Sequence, residues 1–97
     1  MHKYELMYIT RPDLDEDALK SIREKVKDVI TKNGGKVTEE TDMGKRRFAY
    51  PINHLREGVY TVVNYESGAE LNQELDRVLK IESDIIRHMV INLDDKK

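Results

Sequence analysis

KVTEETDMGKRRFAYPINHLREGVYTVVNY, residues 36–65, is the stretch on which the fold of this chain turns. Its end, Val59-Tyr60-Thr61-Val62-Val63-Asn64-Tyr65, is dense in β-branched and aromatic residues and reads as a strand. Lys36 to Tyr50 reads as a second strand of unusual length, with Gly44 near its middle marking a bulge or bend. Between the two, Pro51-Ile52-Asn53-His54-Leu55-Arg56-Glu57-Gly58 reads as a turn-rich loop, so the strands are expected to pair as a hairpin.

Helical patterns flank that hairpin on both sides. Upstream, Leu19, Ile22, Val26, Val29 and Ile30 recur at helical spacing, and Asn33-Gly34-Gly35 stops the run. Asp15 is its expected N-cap, with Leu14 and Leu19 forming a hydrophobic staple; Asp13 with Glu16 is an alternative capping box. Downstream, Ser67-Gly68-Ala69-Glu70 reads as a capping box ahead of Leu71, Leu75, Val78 and Leu79, a second helix ending near Lys80. Lys3 to Thr10 alternates as a first strand, and Ile85 to Leu93 makes the last. The order strand, helix, strand, strand, helix, strand, without repeat or linker, predicts one α+β domain over residues 1–97 with the ferredoxin-like βαββαβ arrangement. Right-handed crossovers then place both helices on one face of a four-stranded antiparallel sheet, in the order fourth, first, third, second.

The other sheet face is left uncovered, and the alternation there is mixed. If Leu6 and Tyr8 point to the helices, Met7 and Ile9 point away, joined either by Tyr60 and Val62 or by Val59, Thr61 and Val63. The last strand offers Ile85, Arg87, Met89 and Ile91 on one side and Ile86, His88, Val90 and Asn92 on the other. Either register exposes apolar side chains, which predicts a protein partner on that face.

Composition narrows the function. A hydrophobic content of 38% suffices for one modest core, and the 37% of charged residues must lie on outer faces. The absence of cysteine removes disulfides, thiolate metal sites and cysteine nucleophiles, and agrees with a reducing compartment, so the cytoplasm is expected. Residues 1–10 carry no seven-residue apolar core and no apolar run reaches membrane length, so neither secretion nor membrane spanning is expected. A formal net charge of -2 argues against nonspecific wrapping of nucleic acid, so any RNA contact must be local.

Lys45-Arg46-Arg47 supplies such a locality. Three successive cations followed by Phe48 and Tyr50 can neutralise phosphates while presenting rings for stacking. In a regular strand Arg46, Phe48 and Tyr50 face one side and Lys45, Arg47 and Ala49 the other, with both guanidiniums able to bend around the sheet edge toward one RNA backbone. The competing reading is a cationic edge strand that discourages sheet-to-sheet aggregation. Lys3, Tyr4, Arg87 and His88 lie toward the opposite side of the strand order and suggest a second, separate patch. The central strands lack the paired aromatic motifs of base-reading RNA-recognition modules. His2, His54 and His88 are dispersed without metal-site spacing, Asp13, Asp15, Glu16 and Asp17 are accounted for by helix capping, and no nucleophile elbow or phosphate-cradling glycine loop occurs. The surviving enzymatic idea is His54 or His88 beside a carboxylate.

Tyr4-Glu5, Arg11-Pro12-Asp13-Leu14-Asp15 and Gly44-Lys45-Arg46-Arg47-Phe48-Ala49-Tyr50-Pro51-Ile52 together resemble the bacterial small-subunit ribosomal protein six family, over nearly the whole chain. Gly58-Val59-Tyr60 and the closing strand follow the family order. The resemblance implies a non-enzymatic role in translation, without cofactor or metal: binding the central domain of small-subunit ribosomal RNA as a heterodimer with the small-subunit protein numbered eighteen. By that pattern RNA or partner contact falls on Arg46, Arg47 and Tyr50, with Lys45 of the same cluster, and on Lys3, Tyr4 and Arg87. Family members often carry two basic residues before the tyrosine where this chain has His2-Lys3, which implies a weaker, pH-dependent contact there. Some extend into a long acidic or flexible tail where this chain has Asp94-Asp95-Lys96-Lys97. A homodimeric ferredoxin-like regulatory module that pairs through the open sheet without RNA is the alternative function.

Overall fold

The alternation and helical stripes resolve into β1 (His2–Thr10), α1 (Glu16–Lys32), β2 (Lys36–Ile52), β3 (Leu55–Ser67), α2 (Glu70–Ile81) and β4 (Ile85–Asn92). The structure, a computed structural model, describes residues 2–52 and 55–93. The sheet order is β2-β3-β1-β4, as the crossover rule requires, and every pairing is antiparallel.

Register settles which alternate set lies where. Leu6 pairs with Val63 and Val90, and Tyr8 with Thr61 and His88, so these residues share the helix side. Leu6, Val63, Tyr8 and Tyr65 pack there against Ile22, Val26 and Ile30 of α1 and Leu71, Leu75 and Leu79 of α2, all buried. Burial pushes the Tyr8 hydroxyl up to about 12, and raises that of Tyr65 as well. Tyr65 donates to Asn72 Oδ1 at 2.6 Å, tying β3 to α2. Met7, Ile9, Tyr60, Val62, Arg87 and Met89 take the uncovered face, the first of the two registers open to β3.

The expected N-cap of α1 is present: Asp15 Oδ1 accepts from the Ala18 N–H at 2.8 Å. The expected cap of α2 is not. Ser67 is the last residue of β3, fully buried opposite His2, and its hydroxyl donates to Gly68 O at 2.9 Å, so sheet pairing has taken the residue that the local pattern assigned to capping. Ala69 holds the N-cap position without a side-chain hydrogen bond.

The turn-rich loop expected over residues 51–58 is also corrected. β2 runs on to Ile52 and β3 begins at Leu55, with Arg46 opposite Gly58, Arg47 opposite Glu57 and Ile52 opposite Leu55. Pro51 is tolerated because β2 is an edge strand. Gly58 is there for close packing: a Cβ on it would stand 2.6 Å from Ile9 Cγ2 and 2.9 Å from Phe48 Cζ.

Candidate functional site

β2 changes character at Gly44. That residue adopts φ 78°, a left-handed conformation that favours glycine, at a shift of the β2–β3 register, as the sequence led one to expect. Its N–H donates to Asp42 Oδ1 at 2.9 Å. A further shift, between Val37 and Glu39, had no glycine to announce it. Beyond Gly44, Arg46 Nε reaches back to the Met43 carbonyl at 3.3 Å. A third irregularity then lies between the Arg47–Glu57 and Ile52–Leu55 pairs, where residues 48–51 of β2 stand opposite Arg56 alone. Surplus residues on one strand force it to arch and re-aim its side chains. Phe48 turns inward over Gly58 and meets the Tyr60 ring at 6.2 Å with a 57° tilt, whereas Tyr50 is left 67% exposed.

Phe48, Tyr60, Met7, Ile9 and Met89 line a groove of about 510 Å³ on the open face, with Arg47, Tyr50 and Arg87 also on its lining. All four strands contribute, so Arg87 shares a single groove with Arg47 of the basic cluster. The separate patch expected for it is therefore corrected: the strand order set β4 at the far edge, but the arch of β2 leans over the face toward it. Met89 is 49% exposed, an apolar group only half covered among the described residues.

The charges divide sharply. On the helix side Arg23 pairs with Asp42 at 2.6 Å, Lys27 with Glu40 at 3.3 Å, Lys25 with Glu82 at 2.8 Å, Lys80 with Asp76 at 3.0 Å, and Arg77 with Glu74. Among the described residues no carboxylate pairs with Lys45, Arg46, Arg47, Arg56 or Arg87. Of the three acids of β2, Glu40 and Asp42 are held by α1, and Glu39 pairs with none of these cations among the described residues.

His88 also borders the open-face groove, and the remaining candidates lie elsewhere. Lys3 is exposed on β1 opposite Glu66, at the other end of the sheet. Tyr4 is only 5% exposed and stacks on Tyr65 at 5.5 Å, so its ring belongs to the core. His88 Nε2 lies 2.8 Å from Asp76 Oδ1 between β4 and α2. Hydrogen bonds from His88 and then Lys80 hold the Asp76 carboxyl below the usual carboxylate range. His54 lies outside the described residues. Arg56 was not singled out from sequence; its position opposite the arch follows only from the register.

Together these elements define a ferredoxin-like α+β domain with an open sheet face and a long hairpin. The family model described as ribosomal protein S6 matches residues 3–92. The chain belongs to the ribosomal protein S6 family. It is 50% identical over 90 residues to small ribosomal subunit protein bS6 of Exiguobacterium sibiricum, covering 93% of this chain and 95% of that one. It is likewise 50% identical over 94 residues to the protein of that name from Carboxydothermus hydrogenoformans, covering 97% and 98%. The crystal structure of 30S ribosomal protein S6 from Thermotoga maritima superposes with a TM-score of 0.92 at 33% identity, covering 97% of this chain and 89% of that one. The chain is accordingly a protein of the small ribosomal subunit, working in the cytoplasm as part of the ribosome, and not an enzyme.

Proposed function

We propose that this protein binds the central domain of small-subunit ribosomal RNA as a heterodimer with the small-subunit protein numbered eighteen. The observation that carries the reading is the placement, along one hairpin beside an apolar open face, of cations that have no carboxylate partner among the described residues, in a chain whose net charge is -2. A globally acidic domain approaches a polyanion well only if a basic partner supplies most of the phosphate neutralisation. The groove over Phe48, Tyr60, Met7 and Met89 gives that partner apolar area to cover. Lys45, Arg46, Arg47 and Tyr50 are the proposed RNA contacts, Arg87 a contact at the groove, and Lys3 a contact at the far end of β1. Tyr4, proposed from the family pattern, acts on this reading through the β1–β3 core, which sets the position of Lys3.

Equilibrium binding to a central-domain ribosomal RNA fragment, with and without the partner protein and at two salt concentrations, tests this. Tight binding only with the partner present is the expected result. No binding in either case, with a stable homodimer formed through the open face, would favour the regulatory module instead.

A further inference from the structure

The arch in β2 is more than a way to fold Phe48 inward. Four residues, 48–51, stand opposite Arg56 alone, and this brings Arg47, Arg56 and Tyr50 around one open groove of about 420 Å³, with Phe48 and Ala49 completing its wall. That size falls in the roughly 300–1,000 Å³ range of small-ligand sites. Arg47 and Arg56 are exposed, and among the described residues neither pairs with a carboxylate; Glu57, opposite Arg47 in the register, pairs with neither. Tyr50 is 67% exposed, so its ring contributes little to the core and stands available beside two forked cations.

We infer that the end of the β2–β3 hairpin is a site for one unpaired nucleotide of RNA, its base stacked on Tyr50 and its phosphate held between Arg47 and Arg56. The inference rests on the RNA-binding reading above and adds to it the class of RNA element and the role of Arg56. Two guanidiniums suit a phosphate because each presents paired N–H donors to its oxygens. A flat exposed ring has no use on regular duplex, whose bases are stacked on one another, but it receives a base splayed out of a loop or bulge. A purely electrostatic patch would treat single strand and duplex by charge density alone. The pairing of ring and cations predicts discrimination.

The test uses the full chain titrated with decauridylate and with a ten-base-pair RNA duplex, followed by amide and tyrosine-ring NMR shifts at low salt. Expected are tighter binding of the single strand and shifts centred on Arg47, Tyr50 and Arg56. Tyr50→Ala should weaken single-strand binding roughly 5- to 100-fold, leave the duplex unchanged, and be rescued by Tyr50→Phe. Arg56→Ala should weaken it and lower the salt slope by about one. Equal effects of Tyr50→Ala on both probes, shifts located elsewhere, or no binding of either RNA at millimolar concentration would overturn the inference. Tyr50→Ala and Arg56→Ala are then carried into partner-dependent assembly on the central-domain fragment. Unchanged affinity there would remove the nucleotide site while leaving the ribosomal RNA reading intact, whereas failure of the wild type to assemble would remove that reading itself.

Discussion

The helix layer and the β2–β3 hairpin both carry many cations, yet they dispose of them in opposite ways. Arg23, Lys25, Lys27, Arg77 and Lys80 on the helices are each matched to a carboxylate, whereas Lys45, Arg46, Arg47 and Arg56 on the hairpin have none among the described residues. The division falls at Gly44. Before it, Glu40 and Asp42 point to the helix side and are taken by Lys27 and Arg23; after it, β2 has passed beyond those partners and meets no further acid of α1. Exposed ion pairs contribute little to stability, so the lesson concerns position: on the helices only Lys20 and Lys32 stand without a carboxylate partner among the described residues, whereas the whole basic run of the hairpin is left open for a partner's charge.

The hardest test of that contrast is Arg46→Ala with Arg47→Ala. It should weaken assembly on ribosomal RNA by roughly 1–3 kcal/mol per lost charged contact, with the thermal midpoint unchanged. A matched Lys25→Ala, Lys27→Ala variant should assemble normally.

Next in size is an alkaline limb under the helix-side pairs. Tyr8 lies beneath Glu40, Arg23 and Asp42, and burial raises its hydroxyl from 10.0 to about 12. A raised acid favours the folded state fully below its unfolded value, and that contribution is lost as pH climbs from 10.0 toward 12. The share of Tyr8 in that loss should be roughly 2–3 kcal/mol by urea unfolding, and Tyr8→Phe should remove this share while leaving the fall contributed by the likewise raised Tyr65.

Gly58→Ala probes the joint between the hairpin and the open face. The added methyl meets Ile9 and Phe48 inside 3.0 Å, so unfolding free energy should fall by roughly 1–3 kcal/mol. Its effect on assembly should exceed that of an equally destabilising change on the helix layer, because Phe48 is displaced from the groove.

The smallest effect belongs to the helix-side pairs. Lys25 holds the Glu82 carboxyl below its ordinary range through a hydrogen bond. A lowered carboxyl stabilises above its unfolded value and ceases to do so as pH falls through the lowered one. Lys25→Ala should therefore shallow the acid limb of an unfolding profile by less than about 1 kcal/mol and leave RNA assembly untouched.

Much of this architecture was legible in sequence because it depends on local pattern: the element order, the Asp15 cap, the Gly44 bulge and the two apolar helix stripes. The family of the chain was legible as well, through the Gly44 to Ile52 run. What local pattern misread, tertiary pairing explains. Ser67 fits a capping box as well as a strand end, and its pairing with His2 decides for the strand. Pro51, Asn53 and Gly58 read as turn chemistry, whereas Gly58 is needed so that Ile9 and Phe48 can close over it. Tyr4 carries a family signature but occupies a core position, which alternation from Leu6 and Tyr8 already placed on the helix side. The joining of Arg87 to Arg47 and the isolation of Arg56 opposite the arch are properties of register, and register was the quantity that one strand's alternation left open.

The most direct test of the division between the two surfaces is the salt dependence of partner-assisted binding to the central-domain fragment. It would be measured for the wild type, for Arg46→Ala with Arg47→Ala, and for Lys25→Ala with Lys27→Ala. The hairpin variant should lose roughly one from the slope of log affinity against log salt for each phosphate contact removed, and the helix variant should keep the wild-type slope. Equal slopes for all three proteins, or a larger loss from the helix variant, would contradict the assignment of the open charges to RNA.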